Sequence, residues 1–488
     1  MKKKKIIIAM CIAILFMAVG YAAFSANLKI NGMVSISSTW EVVFTKIEEV
    51  SKTSGVTINS APTASGTSAT FDLDVHAPGD SITYKITVEN KGTINAIISD
   101  IKASKTANDA IKFEITGIKK GDLLAGKAST TFNVIISFDD SITEQPDNLN
   151  DTLTVDINYV QDTGQTITGE DVVVEGPILL VEKIRKDNTA QPDTSIDFSQ
   201  ISSDTNGKGL YYTSTNTEDN KRTYYFRGAI DNNYVSFAGF TWRIVRINED
   251  GSVRLIKQDS IGESNFNDAY EDNAYVGYMY GTPSSTTYAA THANTNSSTI
   301  KTTLDTWYQN NLASYSSLIA DSGFCGDRSI APSANTWEAN DTALGYETND
   351  TLYGSCYRLG LNKAPQFKCP QSNDLYTTAT STKGNKALTY PIGLITADEV
   401  AYAGGVYGKV NKEYYLTNRN FFWTMSPFDY NSGADVVFVD GVELVGSVHD
   451  VGVDTEFDVR PAINLKSAAE IIDGGDGTSS NPYVIKTN

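Results

Sequence analysis

The chain has 488 residues, enough for two or three domains, and carries 39 basic against 58 acidic residues, a formal net charge of −19. This acidity excludes nucleic acid as a partner, because binding phosphate backbones requires clustered lysine and arginine. Gly, Ser, Thr, Asn, Asp and Tyr are abundant and long helical windows are absent, which indicates a β-rich extracellular protein. The expected fold class is mainly β with some α.

The first residues predict export. Four lysines precede the apolar run 6–23, and Ala23 and Ser25 stand at the −3 and −1 positions of a cleavage site before Ala26. The alternative is an uncleaved anchor, since about 18 apolar residues are just enough to span a bilayer. In either case we expect a secreted or cell-surface protein, which contacts the membrane only through this segment and only if it stays uncleaved.

Residues 18–47, AVGYAAFSANLKINGMVSISSTWEVVFTKI, resemble the start of Gram-positive secreted proteins related to the TasA and camelysin biofilm-matrix group. That resemblance implies a dedicated signal peptidase that cuts near AAFSA. It also allows a role in a matrix, in which exposed strand edges of neighbouring copies pair with one another.

Apolar and polar residues alternate in the segment after residue 40. Ile82, Tyr84, Ile86 and Val88 are separated by polar residues, and the stretch 132–138 repeats the scheme. Alternation predicts strands with one buried face, and the spacing of the turns indicates a β-sandwich. The stretch APGDSITYKITVENKGTINA also resembles immunoglobulin-like modules of bacterial surface proteins. Its role is either a spacer, which we favour, or assembly into fibres.

After the predicted sandwich, the alternation of apolar and polar residues stops, and helical spacing appears further along the chain. A polar, turn-rich linker follows, in which the apolar piece PILLVEKI (177–184) is expected to dock as one more strand. After it, Ser298 caps a predicted helix over 297–312, and Thr396 with Glu399 has the spacing of a capping box. The predicted order is a signal peptide or anchor (1–25), a β-sandwich (26–165), a linker with one docked strand (166–208), a C-type-lectin-like domain (209–468) and a C-terminal hairpin or tail (469–488).

The lectin-like assignment depends on a resemblance. The blocks WRIVRI, STIKTTLDTWYQNNL, FCGDRS, NKAPQFKC, ALTYPIGLITADEVAYAGG, FFWTMSP and VRPAINLK look like an uncharacterised module of clostridial and related surface proteins. That module is similar in turn to the C-type-lectin-like fold, which formylglycine-generating enzymes share.

The segment FFWTMSP raises the question whether Ser426 is a nucleophile or part of a packed strand. A nucleophilic serine needs a base within hydrogen-bond reach and a strained turn to present it. The segment is not a Gly-x-Ser-x-Gly elbow, and nothing orients His449 toward it. We therefore predict a buried strand, no catalytic residue and no enzyme.

Three cysteines follow the apolar run. The resembling module carries two of them, and the resemblance pairs Cys325 with Cys369, a bridge that contributes about 3 to 4 kcal/mol. Cys356 is then a free thiol, and a bridge between Cys356 and Cys369 is the alternative. We expect a disulfide rather than a copper site, because these cysteines do not match the active-site strand of formylglycine-generating enzymes.

The sequence predicts no metal and no cofactor. The Gln-Pro-Asp element of calcium-dependent lectins occurs at 145–147 and 191–193, both outside the predicted lectin-like domain, and Trp-Asn-Asp is absent. Asp473 and Asp476 lie in a glycine-rich run that is more simply a terminal hairpin.

A tyrosine-rich segment, 267–296, is the candidate ligand surface. Tyrosines on loops suit sugars or proteins, since they combine rigid area with a hydrogen-bonding end. The alternative is that they lie flat on the domain. The predicted surface consists of Tyr270, Tyr275, Tyr278 and Tyr280.

Together these features predict a non-enzymatic, adhesin-like binding protein whose partner is a glycan or protein on a host, matrix or cell-wall surface. The alternatives are a structural subunit of a biofilm matrix or fibre and, third, an oxidase-like enzyme on the lectin-like fold.

Overall fold

The computed structural model describes residues 25–30, 40–106, 110–142, 150–285, 287–331 and 351–487, with only the backbone described for 25–30. The predicted signal segment up to residue 24, with Ala23, lies outside this part of the chain, as does the Gln-Pro-Asp element at 145–147. Within it, no helix is long and apolar enough to cross a membrane. The fold is mainly β with some α, as predicted.

The chain divides into two compact units, an N-terminal unit that ends at Pro177 and a C-terminal unit that starts at Ile178. The N-terminal strands are β1 (Ser25–Ile30), β2 (Val42–Lys52), β3 (Val56–Ser65), β4 (Ser68–Val75), β5 (Ser81–Asn90), β6 (Ala96–Lys105), β7 (Ile111–Thr116), β8 (Leu123–Leu124), β9 (Ser129–Phe138), β10 (Leu153–Gln161) and β11 (Val174–Glu175).

Two sheets of the N-terminal unit share one core. One has the order β1-β10-β6-β11, with β8 also paired to β6, and the other has the order β2-β5-β9-β7. In β5 the side chains alternate strictly, and Ile82, Tyr84, Ile86 and Val88 are buried as the sequence pattern predicts. They pack with residues of β9 and β10, so each sheet buries one face.

The C-terminal unit has more and shorter strands. They are β12 (Gln191–Pro192), β13 (Gly209–Thr213), β14 (Thr223–Arg227), β15 (Tyr234–Phe237), β16 (Phe240–Ile247), β17 (Val253–Lys257), β18 (Glu263–Asn265), β19 (Met279–Tyr280), β20 (Asn296–Ser297), β21 (Ile319–Ala320), β22 (Phe324–Cys325), β23 (Thr351–Leu352), β24 (Leu375–Tyr376), β25 (Phe422–Tyr430), β26 (Ala434–Asp440), β27 (Ser447–Gly452), β28 (Glu456–Asp458), β29 (Ala462–Leu465), β30 (Ile471–Ile472) and β31 (Tyr483–Ile485). Its α-helices are α1 (Leu180–Asp187), α2 (Tyr288–Thr291), α3 (Thr299–Asn311), α4 (Gly354–Cys356) and α5 (Ala397–Ala403).

These elements surround one large core. A ten-stranded sheet is built on β14, β16, β17 and β29, and a six-stranded sheet is built on β25, β26 and β27. Both predicted helices are present with their predicted caps. The Ser298 hydroxyl accepts from the Lys301 amide, and Thr396 and Glu399 form a reciprocal capping box at the start of α5.

The segment 177–184 differs from the prediction. Leu179 makes a single antiparallel bridge with Glu470, and helix α1 then begins at Leu180 instead of a continued strand. Leu180, Val181 and Ile184 fall on one helical face and are buried in the core of the C-terminal unit. The residues assigned to a linker from 178 onward therefore belong to this unit.

The C-terminal segment also joins the unit. Strand β30 pairs antiparallel with β31, and β31 pairs in parallel with β15 of the ten-stranded sheet.

Candidate functional site

The predicted tyrosine surface is divided by the fold. Tyr270 is 41% exposed, while Tyr275 and Tyr280 are partly buried and make an edge contact at 5.4 Å between ring centroids. Tyr278 is fully buried, and its hydroxyl donates to the Ile392 carbonyl at 3.2 Å. The prediction that Tyr278 belongs to a ligand surface is therefore wrong. A ring packed in the core cannot contact a ligand outside it.

Ser426 lies in the buried strand β25, as predicted. Its hydroxyl oxygen accepts from the Ala397 amide at 2.9 Å, the first residue of α5. The neighbouring Trp423 is fully buried, and its indole donates to the Ser264 carbonyl. Among the described residues, the hydrogen bonds of Ser426 are made with Ala397 and Thr424, and none is made with a histidine.

The predicted disulfide is confirmed. Cys325 and Cys369 are bonded, with 5.6 Å between their Cα atoms, and the alternative bridge between Cys356 and Cys369 is wrong. Cys356 is a buried free thiol, and burial raises its pKa. The bond joins two chain segments, and both cysteines line one pocket of the C-terminal unit.

This pocket, called the charged pocket below, encloses about 240 Å³. Its walls come from β16, β17, the segments on either side of the disulfide, the start of α5 and Ser426 of β25. The basic residues that line it are Arg246, Arg254, Arg358, Lys368 and Lys383. The acidic residues that line it are Glu218, Glu249, Asp250, Asp321, Asp327, Asp398 and Glu399.

Ion pairs hold the floor of the charged pocket. Arg358 donates to Asp398 through Nε at 3.0 Å and Nη2 at 2.8 Å, and to Asp327 through Nη1 at 2.6 Å. These two carboxylates raise the pKa of Arg358 despite its burial. The arginine is thus a fixed cation with every nitrogen paired.

A second group of charges centres on Glu399, which is 2% exposed. One of its oxygens accepts from Arg246 Nε at 3.0 Å and lies 3.3 Å from Arg254 Nε, while the other accepts from the Thr396 amide. Burial lowers the pKa of Arg254 to about 10, which leaves it charged at neutral pH. The capping box therefore also fixes the carboxylate that holds two arginines.

Some hydrogen-bonding groups in the wall are not used by the protein. Asn248 is 4% exposed, and its side-chain oxygen has no donor among the described residues. Arg254 bonds through Nε and Nη2, and Arg246 through Nε and Nη1, so each retains one terminal nitrogen without a described acceptor. The charged pocket can therefore both donate and accept hydrogen bonds.

No cluster of three or more metal-ligating side chains occurs in the part of the chain that the structure describes. The Gln-Pro-Asp element at 191–193 lies inside the C-terminal unit rather than outside it. There Asp193 accepts from the Tyr225 hydroxyl at 3.3 Å.

Sequence reasoning missed the charged pocket. Its lining residues are spread from Glu218 to Ser426, and no short motif groups them. The one local signal was the capping box, which places Glu399. Comparisons with protein-family models, curated proteins and solved structures found no match.

Proposed function

We propose that the chain is an exported, non-enzymatic binding protein. A lectin-like C-terminal unit would hold a glycan or protein ligand of a host, matrix or cell-wall surface, and an immunoglobulin-like β-sandwich would carry it as a spacer. The observation that carries this proposal is the charged pocket, a concave site of about 240 Å³ lined by charged and polar side chains that can donate and accept hydrogen bonds.

Binding is favoured over catalysis because the reactive groups at the pocket are occupied. Ser426 caps a helix amide, and Asp327 and Asp398 are tied to Arg358. The cysteines that an oxidase-like copper site would need as thiolates form a disulfide instead.

The test is a binding screen of the intact chain against glycan arrays, mucin, extracellular-matrix proteins and peptidoglycan, with calcium and then with EGTA. Saturable binding to one class supports the proposal, and turnover of a bound ligand contradicts it. Thr382, an exposed residue that lines the pocket, is changed to Trp to obstruct its entrance. The matched control is Thr380→Trp, which adds the same side chain two residues away, outside the lining.

A structural subunit of a matrix or fibre is the second candidate. Strand β1 is an edge strand, paired only with β10 among the described strands, from Ser25 opposite Val160 to Ile30 opposite Val155. An edge strand can pair instead with a strand of a neighbouring copy. Salt-resistant, concentration-dependent polymerisation in sedimentation would favour this candidate, and a monomer at all concentrations would eliminate it.

A further inference from the structure

We propose that the charged pocket binds one uncharged sugar residue, a neutral hexose or N-acetylhexosamine, through side chains alone and without a metal ion. This inference rests on the proposed function and names the ligand of the same site.

The unused hydrogen-bonding groups match hydroxyl groups better than any single charge. The remaining terminal nitrogens of Arg246 and Arg254 can donate, and the lining carboxylates of Asp250 and Asp321 can accept. The Ser426 oxygen already accepts from Ala397, and its hydrogen has no described acceptor, so it can donate as well. A sugar hydroxyl both donates and accepts, so a ring with several hydroxyls can satisfy such a mixed set.

The charge of the lining argues for a neutral ligand. Five basic and seven acidic side chains face the charged pocket, and the central arginines are already paired with carboxylates. A ligand carboxylate would compete with Glu399 for Arg246 and Arg254 and would meet the surplus of acids. A ligand ammonium would be placed against buried guanidinium groups. Either charge would lose water and would meet side chains of its own sign.

The size of the charged pocket limits the ligand to one ring. Pockets for drug-sized ligands hold about 300 to 1,000 Å³, and this one holds about 240 Å³. The pocket therefore encloses a terminal sugar residue and leaves the rest of a glycan outside.

Direct contacts take the place of calcium in this site. The carboxylates of Asp327, Asp398 and Glu399 are already paired with arginines, so they are not free to ligate a calcium ion. We therefore expect binding that is unchanged by a chelator.

The experiment titrates the intact chain, by calorimetry in excess EDTA, with the methyl glycosides of glucose, galactose, mannose and N-acetylglucosamine. Methyl glucuronide and methyl glucosaminide serve as charged counterparts. We expect saturable binding of at least one neutral glycoside and binding of the charged counterparts weaker by about tenfold or more. Obstruction by Thr382→Trp should abolish binding, while Thr380→Trp leaves it unchanged.

The contact of Ser426 is tested by Ser426→Ala, which removes one donated hydrogen bond and should weaken binding roughly three- to tenfold. Since this substitution also removes a helix-capping acceptor, thermal unfolding checks the fold. Monodeoxy forms of the bound glycoside test the same contact on the unmodified protein, and at least one should bind about tenfold more weakly.

Preference for a charged glycoside, loss of binding in EDTA, or full binding by Thr382→Trp would overturn the inference. If no glycoside binds but a protein surface is bound through a Thr382→Trp-sensitive site, the proposed function stands and the sugar assignment fails. If nothing binds in either experiment, both fail.

Discussion

The two units bury different kinds of side chain. In the described part of the N-terminal unit, the buried polar or charged residues are Asp80 and Asn90, and the rest of the core is apolar. The C-terminal unit has a larger apolar core and also buries six arginines, which are Arg227, Arg243, Arg246, Arg254, Arg328 and Arg460. Apolar burial stabilises in proportion to area, whereas buried charges stabilise only while each keeps its partner.

The two units should therefore respond differently to the loss of an ion pair. Ion pairs of the N-terminal unit lie mostly at the surface, such as Lys46 with Glu48 at 60% and 38% side-chain exposure. Such pairs contribute between about 0 and 1 kcal/mol. When one partner of a buried ion pair in the C-terminal unit is removed, the other keeps its charge with neither water nor an opposite charge beside it. Hydrogen exchange measured peptide by peptide distinguishes the two units in the intact chain.

The largest effect is expected for Asp374→Ala. Asp374 and Arg328 have no exposed side-chain area, and the arginine donates to this carboxylate through Nε at 2.9 Å and Nη2 at 2.6 Å. Removal of the carboxylate should reduce the unfolding free energy of the C-terminal unit by about 3 to 5 kcal/mol. Hydrogen exchange of peptides from the N-terminal unit should stay unchanged.

The matched control is Lys383→Ala, which breaks an exposed pair with Asp219 at 51% and 49% side-chain exposure. It should cost less than about 1 kcal/mol. Equal losses in the two variants would contradict the contrast between buried and exposed ion pairs.

The second effect is that of the disulfide. Replacement of Cys325 and Cys369 by serine frees a loop with a sequence separation of 44 residues. The loss should be about 3 to 4 kcal/mol, measured by chemical denaturation of the C-terminal unit. Reduction of the native protein with dithiothreitol should give the same loss of unfolding free energy. If stability is unchanged after reduction, the bridge does not stabilise the unit.

The third effect is a pH dependence of opposite sign in the two units. Burial and the neighbouring Asp450 raise the pKa of Asp435 from 3.8 to about 6, so the C-terminal unit should lose stability as the pH rises through this interval. Lys112 and Ser141 lower the pKa of Asp139 from 3.8 to about 2, so the N-terminal unit should lose stability as the pH falls through that interval.

The variants Asp435→Asn and Asp139→Asn should each remove the contribution of that residue to the pH dependence of its own unit. Unfolding free energies measured between pH 2 and 7 check both signs, and a common direction in the two units would refute the assignment.

The smallest effect is expected for Thr396→Ala, which removes the acceptor of the Glu399 amide at 3.0 Å. Loss of the cap should cost about 1 kcal/mol. A larger loss would indicate that the capping box also supports the arginines held by Glu399. Thermal unfolding of this variant beside Thr380→Ala, an exposed threonine outside any helix, measures the difference.

The sequence predicted those elements whose signals are local. Alternation placed the buried face of β5, and the caps at Ser298 and Thr396 placed two helices, because each pattern lies within a few residues. Segment 177–184 was predicted as one strand, but only Leu179 makes a strand-like bridge and a helix begins at Leu180, since four consecutive apolar residues fit a buried strand or a helix equally well.

The candidate site could not be predicted in the same way. Arg246 and Glu399 are 153 positions apart, and only the tertiary fold brings them to 3.0 Å. The tyrosine-rich segment gave a strong compositional signal, yet Tyr278 is buried, because composition does not tell which side of a loop faces the core. The disulfide was predicted through a resemblance, while the sequence left two pairings open.

The burial of Cys356 has a practical use. Its side chain lies at the end of the short helix α4 with 7% exposure, and burial raises the pKa of the thiol. Thiolates rather than thiols react with alkylating reagents. The rate at which an alkylating reagent labels Cys356 should therefore report how often the surrounding structure opens. Local unfolding can be followed in this way without an engineered cysteine.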